Sequence, residues 1–495
     1  MPQKILQLNI NHKELDLINH ELTGLQNALM VKTRKNTTGL KGSVRKVPLK
    51  LALLVAFLAG SSSLVFAQDL PQVLEEPSFW ESTKTVRFIQ NEDEEPSRAS
   101  RENLPKNPEQ GLGGRPEANP FAPLGIRSGN FMLRPSLEQG LRATSNSKNS
   151  SSGKNAVLSE TQLRMDIQTD LPRHAAFLNL TGNWIKTISG DDVSEPFLLL
   201  NSGLRLDLDN QSRLNLGFDY MLRRESASSP NNLDVADENP LFHTLSGTVG
   251  IEREGNLLFG RADARFDRNI YGDADLTGGG TISQSDRNNN YVSAKLRGGF
   301  QVSAALKPFV EVEAGKRIYD DKYDHNGFQR SGNQYAANAG LIFDLGEKFN
   351  GELSVGYLRA QLDDDRLRNV DGLAFNALVN WSPQRGTDVA LNARTLVEGA
   401  TTANVSGSLL YLASLEVKHN IRSNLILTAG IDTRIRDNKD STGFDYTYGA
   451  QIGATYWVNR FVALNARLRH EQMKSDLASR DYRSNSIYVG MKLQR

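Results

Sequence analysis

From Gly129 to Leu493 the chain is a succession of short segments in which apolar and polar residues alternate, joined by connections that are by turns brief and long. The turn at Asp209-Asn210-Gln211-Ser212 shows the pattern plainly. Leu198, Leu200, Leu204, Leu206 and Leu208 share one parity before it, and Leu214, Leu216, Phe218, Tyr220 and Leu222 share one parity after it. Asn201, Arg205, Asp207, Arg213, Asn215, Asp219 and Arg223 take the opposite face. Side chains on a strand point alternately to two faces, whereas a helix would space such leucines by three and four. One pair of this kind would also suit a soluble sandwich, so repetition has to decide.

The alternation returns in Val389/Leu391/Ala393/Thr395/Val397, in Val405/Gly407/Leu409/Tyr411/Ala413/Leu415/Val417 and in Leu425/Leu427/Ala429/Ile431/Thr433/Ile435, each row expected to face outward. About eighteen such segments can be counted, an even number within the range of outer-membrane barrels. Counted from a first strand at Phe131 to Ala143, the odd gaps include Thr144 to Asn155, Glu225 to Asn239, Asn269 to Arg287 and Asp320 to Gly332, all rich in Ser, Asn, Asp and Gly. The even gaps are tight: Thr169 to Pro172, Asp209 to Ser212, Arg253 to Asn256, Asp344 to Lys348, Ser382 to Gly386 and Val458 to Arg460. Long loops at one end and tight turns at the other match the two ends of an outer-membrane barrel. Later odd gaps, such as Ala400 to Asn404 and Asp437 to Thr442, are shorter, so the contrast weakens without reversing. The expected fold is therefore all-β, a transmembrane antiparallel barrel of about 18 strands.

A hydrophobic content of 38 % and a mean hydropathy of −0.46 would ordinarily argue a soluble chain. A barrel shows only alternate residues to lipid and fills its interior with polar ones, so low hydropathy is what it requires. The chain has no cysteine, which fits export without a disulfide framework. A net charge of +1 gives no basic field for nucleic acid, which is excluded as a partner.

The N-terminus carries the means of export. Lys41, Arg45, Lys46 and Lys50 precede the apolar run Leu51 to Ala59, and small residues lead to Val65-Phe66-Ala67. This order is that of a secretory signal, with cleavage expected after Ala67, and the run is too short to span as a helix. Residues 1–67 are thus read as an extended leader and signal peptide, with Met30 as an alternative start ahead of Lys32, Arg34 and Lys35. Residues 68–125 are rich in Pro, Glu and Asn, show neither period, and are read as a disordered periplasmic linker. Residues 126–495 are the barrel, with both termini in the periplasm.

In the last segment Ile487, Val489, Met491 and Leu493 alternate with Ser486, Tyr488, Gly490 and Lys492, which resembles the C-terminal recognition strand of bacterial outer-membrane proteins. Outer-membrane lipid and the barrel-assembly machinery are the partners that such a strand implies. The opening Gly125-Ile126-Arg127-Ser128-Gly129-Asn130-Phe131-Met132-Leu133-Arg134-Pro135-Ser136-Leu137-Glu138 and the closing Val489-Gly490-Met491-Lys492-Leu493-Gln494-Arg495 resemble the β-barrel porin-2 group of Gram-negative outer-membrane proteins, over Ile126 to Arg495. The resemblance implies a barrel and, by analogy, a pore. Some relatives are associated with exopolysaccharide operons, and the group brings no catalytic residue.

The inward parity selects candidate channel-lining residues: Arg205, Arg213, Asp219, Arg223, Arg261, Asp263, Arg265, Arg297, Glu311, Glu313, Arg317, Arg394, Asp432, Arg434, Arg467 and Arg469. Opposed rows of fixed charge govern the passage of ions and polar solutes, although the same charges could simply pair and stiffen the wall. The excess of arginine predicts a weak anion preference. Trp184, Trp381, Tyr456 and Trp457 are expected on the outer face near strand ends, at the lipid headgroup level. The seven histidines are scattered without zinc-ligand spacing, and neither Asp273-Ala274-Asp275 nor Asp363-Asp364-Asp365 has the Gly and terminal Glu of a calcium loop. No enzyme, cofactor or metal is expected. Two functions remain: a porin passing small polar or ionic solutes by diffusion, and a dedicated conduit or scaffold for exopolysaccharide secretion. In the second, the loops Asn269 to Arg287 and Asp320 to Gly332, or the tail Gln68 to Leu124, are candidates to close the lumen.

Overall fold

The computed structural model describes residues 120–495 apart from 227–228, 230, 232–235, 277, 403–404, 440–442 and 478–479. The leader 1–67 and residues 68–119 of the linker lie outside the described residues. Eighteen long strands form the wall, all antiparallel. In chain order they are β1 (Phe131–Thr144), β2 (Ala156–Thr169), β3 (Ala175–Gly190), β4 (Ser194–Asp207), β5 (Ser212–Arg224) and β6 (Leu241–Glu254). They continue as β7 (Leu258–Tyr271), β8 (Asn289–Phe300), β9 (Leu306–Tyr319), β10 (Gly332–Asp344), β11 (Phe349–Leu362) and β12 (Val370–Gln384). The last six are β13 (Thr387–Gly399), β14 (Gly407–Arg422), β15 (Leu425–Asn438), β16 (Phe444–Trp457), β17 (Val462–Lys474) and β18 (Tyr482–Gln494).

Each strand pairs with its successor, and β18 returns to β1 in the register Ser136↔Gln494 to Thr144↔Ser486, which closes the cylinder. Closure pairs the strand edges around the cylinder, the condition for crossing lipid with strands, except along the upper part of β12. The expected strand count and first strand hold, and so does the gap order except after β3, where residues 191–193 make a tight turn at the long-loop rim. Boundaries move by a few residues, since Asn269 to Tyr271 belong to β7 and Ser382 to Gln384 to β12. An even count places both ends of the barrel at the short-turn rim. There a three-residue strand, Ile126–Ser128, folds back on Phe131–Leu133 through Gly129, whose φ of 58° favours glycine.

The two faces separate as the alternation demands. Val310 is 63 % exposed, Leu296 58 % and Val489 54 %, an apolar outer surface too extensive for water and suited to lipid. Of the aromatics expected on that face, Trp184, Trp381 and Tyr456 are exposed. Trp457 is not: next to the outward-facing Tyr456 it takes the opposite parity, and it is buried at the short-turn rim, stacked on Phe121 with centroids 6.2 Å apart. The incoming chain covers it, because Pro120 and Phe121 accept hydrogen bonds from Arg460 and Gln494 of the last turn and strand.

The outward rows in β13 and β14 also depart from expectation. Thr395, Val397, Leu409 and Tyr411 were assigned to lipid, yet Thr395 and Leu409 are buried, and Val397 and Tyr411 pack on a cluster of Leu358, Ala360, Val370 and Ala374. These last four lie on the inner face of β11 and β12, since their neighbours Tyr357 and Leu373 point outward and are exposed. The upper part of the β13–β14 hairpin is therefore folded into the lumen, its outer side against the inner side of the adjacent wall. Consistently, the β12–β13 ladder runs only from Asn376↔Arg394 to Gln384↔Thr387.

Candidate functional site

Every inward-facing strand position delivers a side chain to the lumen, so a charged residue on that parity meets charges from strands on either side. All sixteen candidate lining residues fall on the inward parity by their register partners. Most are engaged in pairs. On β4 to β7, Arg205 bonds Asp207 at 3.0 Å, Arg213 reaches Glu252 at 3.3 Å, and Arg261 joins Glu252 at 3.3 Å and Asp263 at 3.0 Å. Arg265 bonds Asp267 at 2.8 Å, Asp219 accepts from Asn201 at 2.8 Å, and Arg223 lies 4.9 Å over the Phe242 ring.

On β8 to β11, Arg297 bridges Glu311 and Glu352, at 2.5 and 2.8 Å, and lies 4.1 Å over Phe309. Glu313 accepts from Tyr291 at 3.1 Å and meets Lys295 at 3.2 Å, while Arg317 donates to Asn289 at 2.9 Å. On the remaining wall, Asp432 bonds Arg469 at 2.8 Å, Arg469 also holds Glu471 at 2.6 Å, and Arg467 donates to Glu160 at 3.1 Å while covering the Tyr488 ring at 4.7 Å. Arg394 is buried beside the infolded hairpin, and Arg434 stands opposite Leu412 on β14 and Thr447 on β16. Glu160, Lys295, Glu471 and Tyr291 were missed as lining candidates. Parity alone would have found them once their strands were placed, because they complete pairs with residues that were chosen.

Seven of the sixteen candidates, Arg223, Arg265, Arg297, Glu311, Glu313, Arg317 and Arg394, line a chamber of 280 Å³, to which the infolded hairpin contributes Ala393 to Gly399 in unbroken succession. A flat wall would contribute only alternate residues of a strand, so the unbroken run is a second mark of the infolding.

Loops at the long-loop rim cover the mouth. The connection after β5 reaches furthest: Asn231 donates to the Gly399 carbonyl at 3.2 Å and accepts from the Thr401 amide at 2.8 Å, eight strands further round the wall. Its Ser229 carbonyl accepts from Arg480 of the last loop at 2.7 Å. The two loops named as candidates to close the lumen make anchoring contacts at this rim. Arg287, of the loop after β7, is buried and ion-paired to Glu225. Burial works against its charge, but the Glu225 hydrogen bond prevails and holds the guanidinium above its ordinary value. In the loop after β9, Arg330 is fixed by Asp324 at 2.7 Å and donates to the Thr402 carbonyl at 3.0 Å, and Asn326 donates to Thr401 at 3.0 Å. Asp320, at the root of that loop, is drawn below the usual carboxylate range by its hydrogen bonds from Arg268. A third junction joins Asp364 of the loop after β11 to the Gln329 amide at 3.0 Å. The Arg366 guanidinium bonded to Asp364, and then that amide, hold its carboxyl well below the usual range. Among the described residues no cluster of three or more His, Asp or Glu side chains could hold a metal ion.

The family described as "Putative beta-barrel porin 2" matches residues 119–495. No curated protein matches the chain. Among solved structures, the FrpB iron transporter from Neisseria meningitidis is 9 % identical with a TM-score of 0.35, and covers 69 % of this chain, which spans 62 % of that protein. The outer membrane protein opdK from Pseudomonas aeruginosa is 12 % identical with a TM-score of 0.35, covering 73 % of this chain and 99 % of its own. A BenF-like porin from Pseudomonas fluorescens Pf-5 is 11 % identical with a TM-score of 0.39, covering 74 % and 99 %.

Proposed function

Since the chain belongs to this family of β-barrel porins, we propose that it forms an outer-membrane channel through which small polar or ionic solutes diffuse passively. The observation that carries this reading is the charged chamber of 280 Å³ beneath the mouth. Its size is at the lower edge of the ~300–1,000 Å³ of small-molecule sites, and a barrel of this strand number normally encloses an aqueous path. The sixteen inward residues named above are the proposed lining. Because most of their arginines have a carboxylate beside them, the field is local, and anion preference is correspondingly weak. In this reading residues 1–67 deliver the chain across the inner membrane, cleavage falls near Ala67, the short-turn rim with both ends faces the periplasm, and the long loops face outward.

Refolding the mature chain into planar bilayers tests the reading. The expected result is steady ohmic conductance with a reversal potential slightly on the anion side in a salt gradient. Strong cation selectivity would remove the anion preference, and silence would remove the open porin. The loop that crosses the mouth favours a second reading, a secretion conduit for exopolysaccharide that is closed at rest. Silence that lifts when residues 225–239 are shortened would select it.

A further inference from the structure

The infolded hairpin contains a contradiction between pattern and position. Val397, Leu409 and Tyr411 continue the lipid-facing rows of β13 and β14 without a break, yet they are packed on the inner face of β11 and β12. Infolding leaves the upper edge of β12 open: above Asn376 the backbone groups of Asp371 and Leu373 on that edge have no ladder partner among the described residues. Thr395 fills part of the gap with its hydroxyl, which accepts from the Phe375 amide at 2.9 Å in place of a main-chain carbonyl. Tyr411 stands in the seam, its ring 6.5 Å from that of Phe375. An unpaired strand edge at membrane depth is costly, because lipid offers it no hydrogen-bond partner.

The same register, extended upward, supplies the missing partners. Asn376↔Arg394 continues as Phe375↔Thr395 and Leu373↔Val397, and it would place Val397, Leu409 and Tyr411 back on the lipid face. The chain thus encodes two positions for one hairpin, each satisfying what the other leaves open. In the first, apolar side chains are buried in the lumen; in the second, the ladder closes and the wall regains its full circumference. The tip of the hairpin is tied down by side chains of other loops, Asn231 at Gly399 and Arg330 at Thr402, so the choice between positions is coupled to the loops over the mouth.

We infer that the upper β13–β14 hairpin is a gate, folded in to narrow the lumen and zipped to β12 to widen it. This rests on the channel reading above, and the test separates the two. The chain has no cysteine, so paired cysteines report position cleanly. Leu373→Cys with Val397→Cys can join only in the zipped state, because Leu373 faces outward while Val397 now packs against the inner wall. Gly372→Cys with Leu409→Cys can join only in the folded-in state, where a Cβ on Gly372 would lie 2.7 Å from the Leu409 Cδ1 atom. Both pairs are expected to cross-link in lipid-reconstituted protein that shows the heat-dependent gel shift of a folded barrel. Locking the zipped pair is expected to raise single-channel conductance about twofold over the folded-in lock, reversibly with reductant, because the upper seam where β13 overlaps the inner face of β12 opens out into the wall, while β14 stays paired to β15 in both positions. Quantitative cross-linking of the folded-in pair with none of the zipped pair would overturn the gate, as would equal conductance of both locks. If neither lock nor the unmodified chain conducts, the channel reading fails, while the cross-linking yields still report whether the hairpin moves.

Discussion

Replacing Asn231 by Ala removes the tie between the loop over the mouth and the far wall. Its amide donates to the Gly399 carbonyl at 3.2 Å and its oxygen accepts from the Thr401 amide at 2.8 Å, with a longer contact from the Thr401 hydroxyl at 3.4 Å. The two shorter bonds contribute about 1 kcal/mol each net of water, and the third adds little. Losing about 2 kcal/mol from the docked state shifts a docked/undocked equilibrium by about 30-fold, at ~1.4 kcal/mol per factor of ten. Arg330 and Asn326 still hold the 400–406 segment, so the loop is released while the barrel stays folded. Single-channel recordings in planar bilayers are expected to show a larger time fraction in the highest conductance level, by about that factor wherever the docked state dominates the unmodified channel. Arg480→Ala, which removes the bond to the Ser229 carbonyl, is expected to move the fraction in the same direction. An Asn231→Ala channel with the gel shift of a folded barrel but unchanged level occupancies would refute the assignment of this loop as the cover.

Arg297→Met takes the shared cation from Glu311 and Glu352, whose side chains are all but buried, and should lower stability by about 3 kcal/mol in urea unfolding from lipid vesicles. A loss under about 1 kcal/mol would mean that lumen water already screens these charges. Val312→Arg puts a charge on the outer face near the middle of β9 and is expected to cost about 2–4 kcal/mol in bilayers, whereas Asn338→Arg, on the inner face of β10, should alter ion selectivity instead; equal costs would contradict the assignment of faces. Asp364 has a lowered folded-state pKa, so its contribution is complete above the ordinary carboxylate value of about 4 and is lost as pH falls further, through the folded value. Hydrogen exchange at the Gln329 amide should therefore stay protected from neutral pH down to about 4 and open below it, with Asp364→Asn abolishing the dependence. Protection lost between pH 7 and 5 would assign that junction to another group.

Much of the wall is written locally. Leu214, Leu216 and Phe218 face out and Arg213 and Asp219 face in because a strand has period two, and one apolar row per strand leaves no other way round in lipid. Apart from the tight turn at 191–193, gap lengths sort into two kinds because hairpins at one rim are tight and at the other longer, and each gap is read from its own residues. Lining candidates follow from parity, which is why Arg261, Arg297 and Arg469 could be chosen. Their partners could not be ranked, because Glu352 lies three strands from Arg297 and Glu160 three strands from Arg467, and the curvature that brings them together is a property of the closed cylinder.

Trp457, Val397 and Leu409 mark where local reasoning stops. Trp457 has the ring of an interface residue but follows the outward-facing Tyr456 and so points inward by strand period; what only the tertiary structure supplies is its cover, Phe121, more than three hundred residues earlier. Val397 and Leu409 keep perfect alternation while the upper part of β13 parts from β12 and folds behind it, with β14 still paired to β15. By itself the sequence determined a closed antiparallel barrel, its number of strands, its two faces and its unequal rims, because strand period and turn chemistry act between near neighbours. Only the tertiary structure decided which charges pair across the lumen, which loop crosses the mouth and where one hairpin folds inward. Those outcomes depend on contacts between residues far apart in the chain, and such contacts form only once the circle of strands has closed.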